Sequence, residues 1–238
     1  MGTFGGAQPI VTDGLVFAVD AANYQSYPGS GTTWSDLSRN DNDGSIYNTP
    51  DYKTTYAGGL EFDGTNQYYQ FDYNQNLTTE SFAVDIWFTP NQNTGYLQGI
   101  LSCSDTRSTV MSPGWGIGFA DNSSMRIEYG MYDEVNDVRY LMYRSVTLEV
   151  GVPVNLFIYR NLNTQKMELY VNGSFYNSIT VPNTATIEGH RNYLNYKRWS
   201  YDAYPNATYH IIKVYHDKEF STEEISQNYN ALKGRFGL

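Results

Sequence analysis

The sequence has one cysteine, Cys103, in 238 residues. A single thiol can neither close an internal disulfide nor build a cysteine-rich zinc site. Charge is sparse, at 17% of residues, and its basic share is the smaller. Lys and Arg number 15 against 25 Asp and Glu, a formal net charge of −10. Nucleic-acid binding needs a basic footprint, so that class is set aside. No run approaches the ~18 consecutive apolar residues of a membrane span. Met1 to Ile10 carry neither the basic stretch nor the apolar core of a secretory signal. The expectation is a soluble chain made in a cytoplasm, with neither membrane nor nucleic acid among its partners.

What the chain has in excess is tyrosine: 23, against 11 phenylalanines and 4 tryptophans. Tyrosine favours strands, and its ring offers an apolar body with a polar tip. So aromatic a chain is not a disordered one. At this length it can bury roughly 70–75% of its unfolded surface without covalent staples.

Short β runs alternate with clusters of Gly, Asn, Asp and Ser, the texture of a sandwich or barrel. Strands are expected at 15–20, 68–73, 82–88, 115–120, 125–129, 138–144, 154–160, 167–171, 175–181 and 209–215. Period two is cleanest in 82–88. There Phe82, Val84, Ile86 and Phe88 share one face, and Ala83, Asp85 and Trp87 share the other. Asn172-Gly173 marks a tight hairpin, because both central residues of a type I′ turn need positive φ. Residues 154–181 thus read as an antiparallel meander. One helix is expected, at the C-terminus. Ser221-Thr-Glu-Glu224 is a capping box, and Ile225, Tyr229 and Leu232 form one apolar stripe. Lys233 and Gly234 read as its stop.

Residues 190–204 join aromatics to basic residues in an otherwise acidic chain. Arg191, Tyr193, Tyr196, Arg198, Trp199, Tyr201 and Tyr204 are the candidate contact residues, on a loop between two β runs. Flat rings stack on sugar faces, and Arg with Tyr or Trp dominates protein interfaces. Tyr129, Tyr132, Tyr140 and Tyr143 could extend that surface. The competing reading is that such rings pack inward as core.

Several segments stand in a telling order: Gly14-Leu-Val-Phe-Ala-Val-Asp20, Leu60-Glu-Phe-Asp-Gly64, Phe82-Ala-Val-Asp-Ile-Trp87, Glu168-Leu-Tyr-Val-Asn-Gly173 and Phe220-Ser-Thr-Glu-Glu-Ile225. The set resembles the concanavalin A-like lectin/glucanase superfamily, in its laminin-G-like branch. The nearest likeness is to the stand-alone versions in tailed-phage virions. The resemblance implies an all-β fold, a two-sheet antiparallel jelly-roll sandwich with one short C-terminal helix. It implies that the strand from Gly14 pairs near the strand at 209–215. Residues 1–13 then form an N-terminal arm, and 14–238 one jelly-roll domain.

For function the resemblance implies a non-enzymatic virion structural protein: capsid decoration, appendage or tail-associated subunit. Its partners would be other virion proteins, with self-association admitted. The alternative is a lectin-like module recognising host-surface glycans. A glycoside hydrolase ranks last. Enzymes of the superfamily carry Glu-x-Asp-x-x-Glu on one strand, with two Glu residues as nucleophile and acid/base. Here Glu61 and Asp63 match, but Asn66 stands where the second Glu belongs and cannot be a general acid.

No cofactor is expected. Relatives of the fold bind calcium, and Asp36, Asn40, Asp41, Asn42 and Asp43 offer hard oxygen donors, but an ordinary polar turn is favoured there. His190, His210 and His216 are too dispersed for one metal and read as surface or strand-end residues.

Overall fold

The computed structural model describes residues 8–76, 79–92, 98–104, 114–120, 125–133, 135–143, 146–185, 188–197 and 204–238. In chain order the strands are β1 (Leu15–Asp20), β2 (Thr33–Trp34), β3 (Gly44–Tyr47), β4 (Asp51–Lys53), β5 (Gly59–Asp63), β6 (Tyr68–Asn76), β7 (Phe82–Gln92) and β8 (Gln98–Ser104). They continue with β9 (Gly114–Phe119), β10 (Ile127–Asp133), β11 (Val138–Met142), β12 (Val154–Asn161), β13 (Lys166–Val171), β14 (Ser174–Thr180), β15 (Glu188–Lys197) and β16 (Asn206–His216). One helix, α1 (Thr222–Leu232), follows, and a 3-10 turn, Lys233–Phe236, closes the chain.

The fold is all-β, an antiparallel two-sheet sandwich. The first sheet runs β14-β13-β12-β7-β16-β5-β4, with β1 on β16. The second runs β11-β10-β9-β8-β15-β6-β3-β2. β1 and β5 share one edge of β16 end to end: Leu15 pairs with Tyr215 and Asp20 with Ile211, while Leu60 pairs with Tyr209 and Asp63 with Asn206. The inner faces meet in a single apolar core. Phe82, Val84, Ile86 and Phe88 enter it from β7, as the alternation predicts, and face Trp115, Ile117 and Phe119 of β9. Phe17 stacks on Phe71 across the sheets at 3.8 Å.

The outer face of the first sheet is also closed, by the C-terminal helix. The capping box forms as expected: Ser221 Oγ accepts the Glu224 amide (3.2 Å) and Glu224 accepts the Ser221 amide (2.9 Å). The α-helix ends at Leu232 with Lys233 as its C-cap, as the Lys233-Gly234 signal predicts. The 3-10 turn carries the chain on to Gly237, where φ is 73°, and so delivers Phe236 against Trp87 at 4.4 Å. Tyr229 stacks on the same indole, and Ile225 packs among Tyr159, Tyr215 and Phe220. Nearly all of β7 is therefore buried on both faces. Asn172 (φ 50°) and Gly173 (φ 74°) make the expected turn between β13 and β14. A Cβ at Gly173 would meet the Tyr229 side chain at 2.7 Å, so this glycine also sets how closely the hairpin approaches α1.

The chain before β1 lies along the same helix. Val11 donates its amide to Asn228 (2.7 Å) and accepts from Tyr215 (3.1 Å), and the Pro9 carbonyl accepts from Gln227. Among the described residues no helix is long and apolar enough to cross a membrane.

Candidate functional site

The candidate contact segment is not a loop at its start. Residues 188–197 form β15, an interior strand between β8 and β6. Arg191 lies on it in register with Asp72 and Ser104. Arg198, Trp199 and Tyr201 lie outside the described residues. Tyr193, Tyr196 and Tyr204 are brought together, and two rings that the sequence reading did not single out join them, Tyr47 and Tyr68.

One backbone irregularity builds this cluster. Tyr193 and Tyr196 are three apart, and regular alternation would put them on opposite faces. Asn195 between them sits at φ 54°, a conformation Asn tolerates better than most residues. Leu194 and Asn195 both reach the interior, where the Asn195 amide accepts from the Tyr209 phenol (3.0 Å) and donates to the Gln67 carbonyl (3.0 Å). Burial pushes the Tyr209 phenol well above its usual pKa, which keeps it a donor. Tyr193 and Tyr196 are thereby left on the same outer face, with ring centroids 4.9 Å apart. Tyr68 meets Tyr196 edge-on at 5.0 Å and stacks on its cross-strand partner Tyr47 at 4.4 Å. Tyr204 completes the row against Tyr196 at 5.8 Å.

Within that row Tyr47, Tyr196 and Tyr204 are half-buried, and Tyr68 and Tyr193 are buried. Among the described residues the Tyr193 hydroxyl has no hydrogen-bond partner. A buried phenol left without an acceptor is costly and calls for an explanation. The second tyrosine region does not form one surface. Tyr129 is buried and bonds Asn177, and Tyr140 packs half-buried against the core, while Tyr143 is exposed.

The catalytic and metal candidates resolve differently. Glu61 is half-buried on β5, 3.6 Å from Lys53. Asp63 is exposed and accepts the Thr65 amide within a turn (2.8 Å). No second carboxylate stands at Asn66, so the two-carboxylate arrangement of a glycosidase is not built there. In the Asp36–Asp43 loop the oxygens serve the chain's own backbone. Asp36 accepts the Ala18, Ser38 and Asn42 amides, and Asp43 accepts the Asp36 amide. Among the described residues no three His, Cys, Asp or Glu gather as a metal site. His210, expected at the surface, is instead 1% exposed. It falls at an irregularity of β16 between Tyr209 and Ile211, where a bulge re-aims a side chain.

A family described as the concanavalin A-like lectin/glucanases superfamily matches residues 63–226. The chain belongs to this superfamily. No curated protein matches the chain. Among solved structures it is similar to the binding domain of botulinum neurotoxin serotype D, at TM-score 0.70 and 16% identity over 92% of this chain and 52% of that one. The binding domain of Paraclostridial Mosquitocidal Protein 1 gives TM-score 0.71 and 14% identity over 92% and 52%. The serotype D ligand-binding domain in complex with N-acetylneuraminic acid gives 0.69 and 14% over 92% and 51%. The chain spans about half the length of these structures.

These comparisons correct the sequence reading. The superfamily stands, but the tailed-phage likeness does not: the matched structures are toxin binding domains. The virion structural role, the virion location and the virion partner proteins fall with it. The error has a plain source. The segments that carry the resemblance specify a sandwich, and one sandwich serves many functions.

Proposed function

We propose that this superfamily member is a non-catalytic carbohydrate-binding domain that engages glycan on the outer face of its second sheet. The observation that carries the reading is the row Tyr47, Tyr68, Tyr196, Tyr193 and Tyr204, in which the turn of the chain at Asn195 puts Tyr193 and Tyr196 on the same face. Aromatic faces supply the flat apolar contact a sugar ring needs, and in this row the half-buried Tyr47, Tyr196 and Tyr204 are the ones open to a ligand. Arg191, Arg198, Trp199 and Tyr201 are proposed as further contact residues on their sequence alone, next to the row in the chain. In sequence, Arg191, Lys197 and Arg198 gather basic charge beside these tyrosines in a chain of net charge −10, and on that ground the proposed ligand is an acidic sugar. A similar fold, the serotype D domain, has been solved with N-acetylneuraminic acid, and that supports the reading.

A glycan array carrying sialylated and neutral structures tests it. The wild type is expected to bind, with preference for acidic glycans that weakens as salt rises. Tyr196→Ala and Trp199→Ala should each weaken binding about tenfold. No binding by the wild type across the array would sink the reading.

A further inference from the structure

The outer face of the first sheet, on the far side of the sandwich from the tyrosine row, holds a cavity of about 230 Å³. Pockets that take drug-sized ligands run to roughly 300–1,000 Å³, so this one suits a single small ring. Its wall mixes apolar surface with polar side chains, those of Lys53, Glu61, Thr89, Asn91, Thr208 and His210 among them.

The groups are built in, and their hydrogen-bonding roles follow from their partners. His210 Nδ1 lies 2.8 Å from the Gly58 carbonyl, which can only accept, so this nitrogen carries the proton. Nε2 is then the lone pair, and the Thr89 hydroxyl donates to it across 3.1 Å. Thr89 Oγ1 is left with lone pairs to offer. Beside it Asn91 Nδ2 donates to Thr208 Oγ1 (3.0 Å). Lys53 is flanked by Glu61 at 3.6 Å and Asp51 at 3.4 Å, so its charge is answered on the spot. The cavity thus offers neutral acceptors and donors side by side and no unbalanced positive charge for an anion.

Its wall is held at a cost. Tyr56 (φ 53°) and Ala57 (φ 63°) are successive non-glycine residues in the left-handed region. Such strain persists only where neighbours over-determine it. Here Arg235 does so, donating to the Tyr56 carbonyl (2.6 Å) and the Gly58 carbonyl (3.1 Å) while pairing with Asp20 (2.8 Å). A Cβ at Gly59 would meet Thr208 at 2.6 Å and His210 at 2.7 Å.

We infer that this cavity is a second binding site, for one small neutral polyhydroxylated ring such as a hexose unit. It is separate from the tyrosine face and does not depend on what that face binds. The test is a ¹H–¹⁵N NMR titration with the methyl glycosides of galactose, glucose and mannose, and with N-acetylneuraminic acid and inorganic phosphate as anionic arms. At least one neutral glycoside should shift the amides of Gly58, Gly59, Gly151 and His210 saturably, with a dissociation constant on the order of millimolar. Asn91→Ala and Thr208→Val should each weaken this tenfold or more, whereas Tyr196→Ala should leave it unchanged. Asn91 is half-buried, so its variant decides the matter if Thr208→Val fails to fold. The inference is overturned if no neutral glycoside shifts these amides, if the shifts survive Asn91→Ala, or if only the anions produce them.

Discussion

Methionine in place of Lys213 is expected to destabilise the domain by about 3–5 kcal/mol, as removal of one partner from a buried ion pair does. Lys213 Nζ lies 2.6 Å from Asp85 Oδ2, with side-chain exposures of 2% and 1%. The two residues are cross-strand partners on β16 and β7, the two longest strands of the first sheet. Asn155 of β12 donates to the other carboxylate oxygen at 2.6 Å. Without the ammonium, the Asp85 carboxylate stays buried with only that amide to answer it. Much of the loss is therefore the penalty of a stranded charge rather than the worth of the pair. The double variant Lys213→Met with Asp85→Leu should accordingly recover most of it, because replacing both ions by apolar groups is often neutral. Urea unfolding of the wild type, the single and the double variant checks this. A single variant costing under about 1 kcal/mol would mean the pair behaves as a solvated surface bridge.

The second large effect is in pH. Burial lowers the His210 pKa from 6.5 to about 4, and the nearby Arg235 guanidinium adds to the fall. The Gly58 carbonyl and Asp20 pull the other way and lose. Between pH 6.5 and 4 the unfolded chain binds a proton that the folded chain refuses. Stability is thus at its full value above 6.5 and declines as pH falls through that window, by about 3 kcal/mol in all. Glu224 is held below its usual range by Lys218 and the Ser221 amide, so its contribution fades only lower still. His210→Gln removes the titrating group. Unfolding free energies at pH 7, 6, 5 and 4.5 should fall steadily for the wild type and stay nearly flat for the variant. Parallel slopes would show that another group carries the dependence.

Legibility in the sequence followed local regularity. Phe82–Phe88 alternates without interruption, and its two faces went where period two sends them, one into the core and one under the helix. The Ser221/Glu224 box and the Asn172-Gly173 turn are chemical signals complete within four residues or fewer, and both formed. β15 was misread as loop because its pattern breaks where it matters: Asn195 takes a left-handed conformation, so Leu194 and Asn195 turn inward together. Its polar run of Arg, Asn and Lys then looks like a connection. β2 spans two residues and has no pattern to read. Lys233-Gly234 marks the end of α1 correctly, but the 3-10 turn beyond it, which brings Phe236 to the Trp87 ring, has no local signal. His210 lay hidden for a similar reason. A bulge in β16 and the closeness of Gly58 and Thr89 depend on pairings 121 and 152 residues apart, which no local window contains.

The tyrosine face is the centre of the functional account, and tyrosine footprinting tests it most directly. A tyrosine-selective label would be applied with and without the tightest-binding glycan from the array, and modification read residue by residue. The account predicts protection of Tyr47, Tyr196 and Tyr204, with no change at Tyr24, which is 78% exposed and takes no part in the row. Unchanged labelling of those three under saturating glycan, or protection confined to other tyrosines, would contradict it.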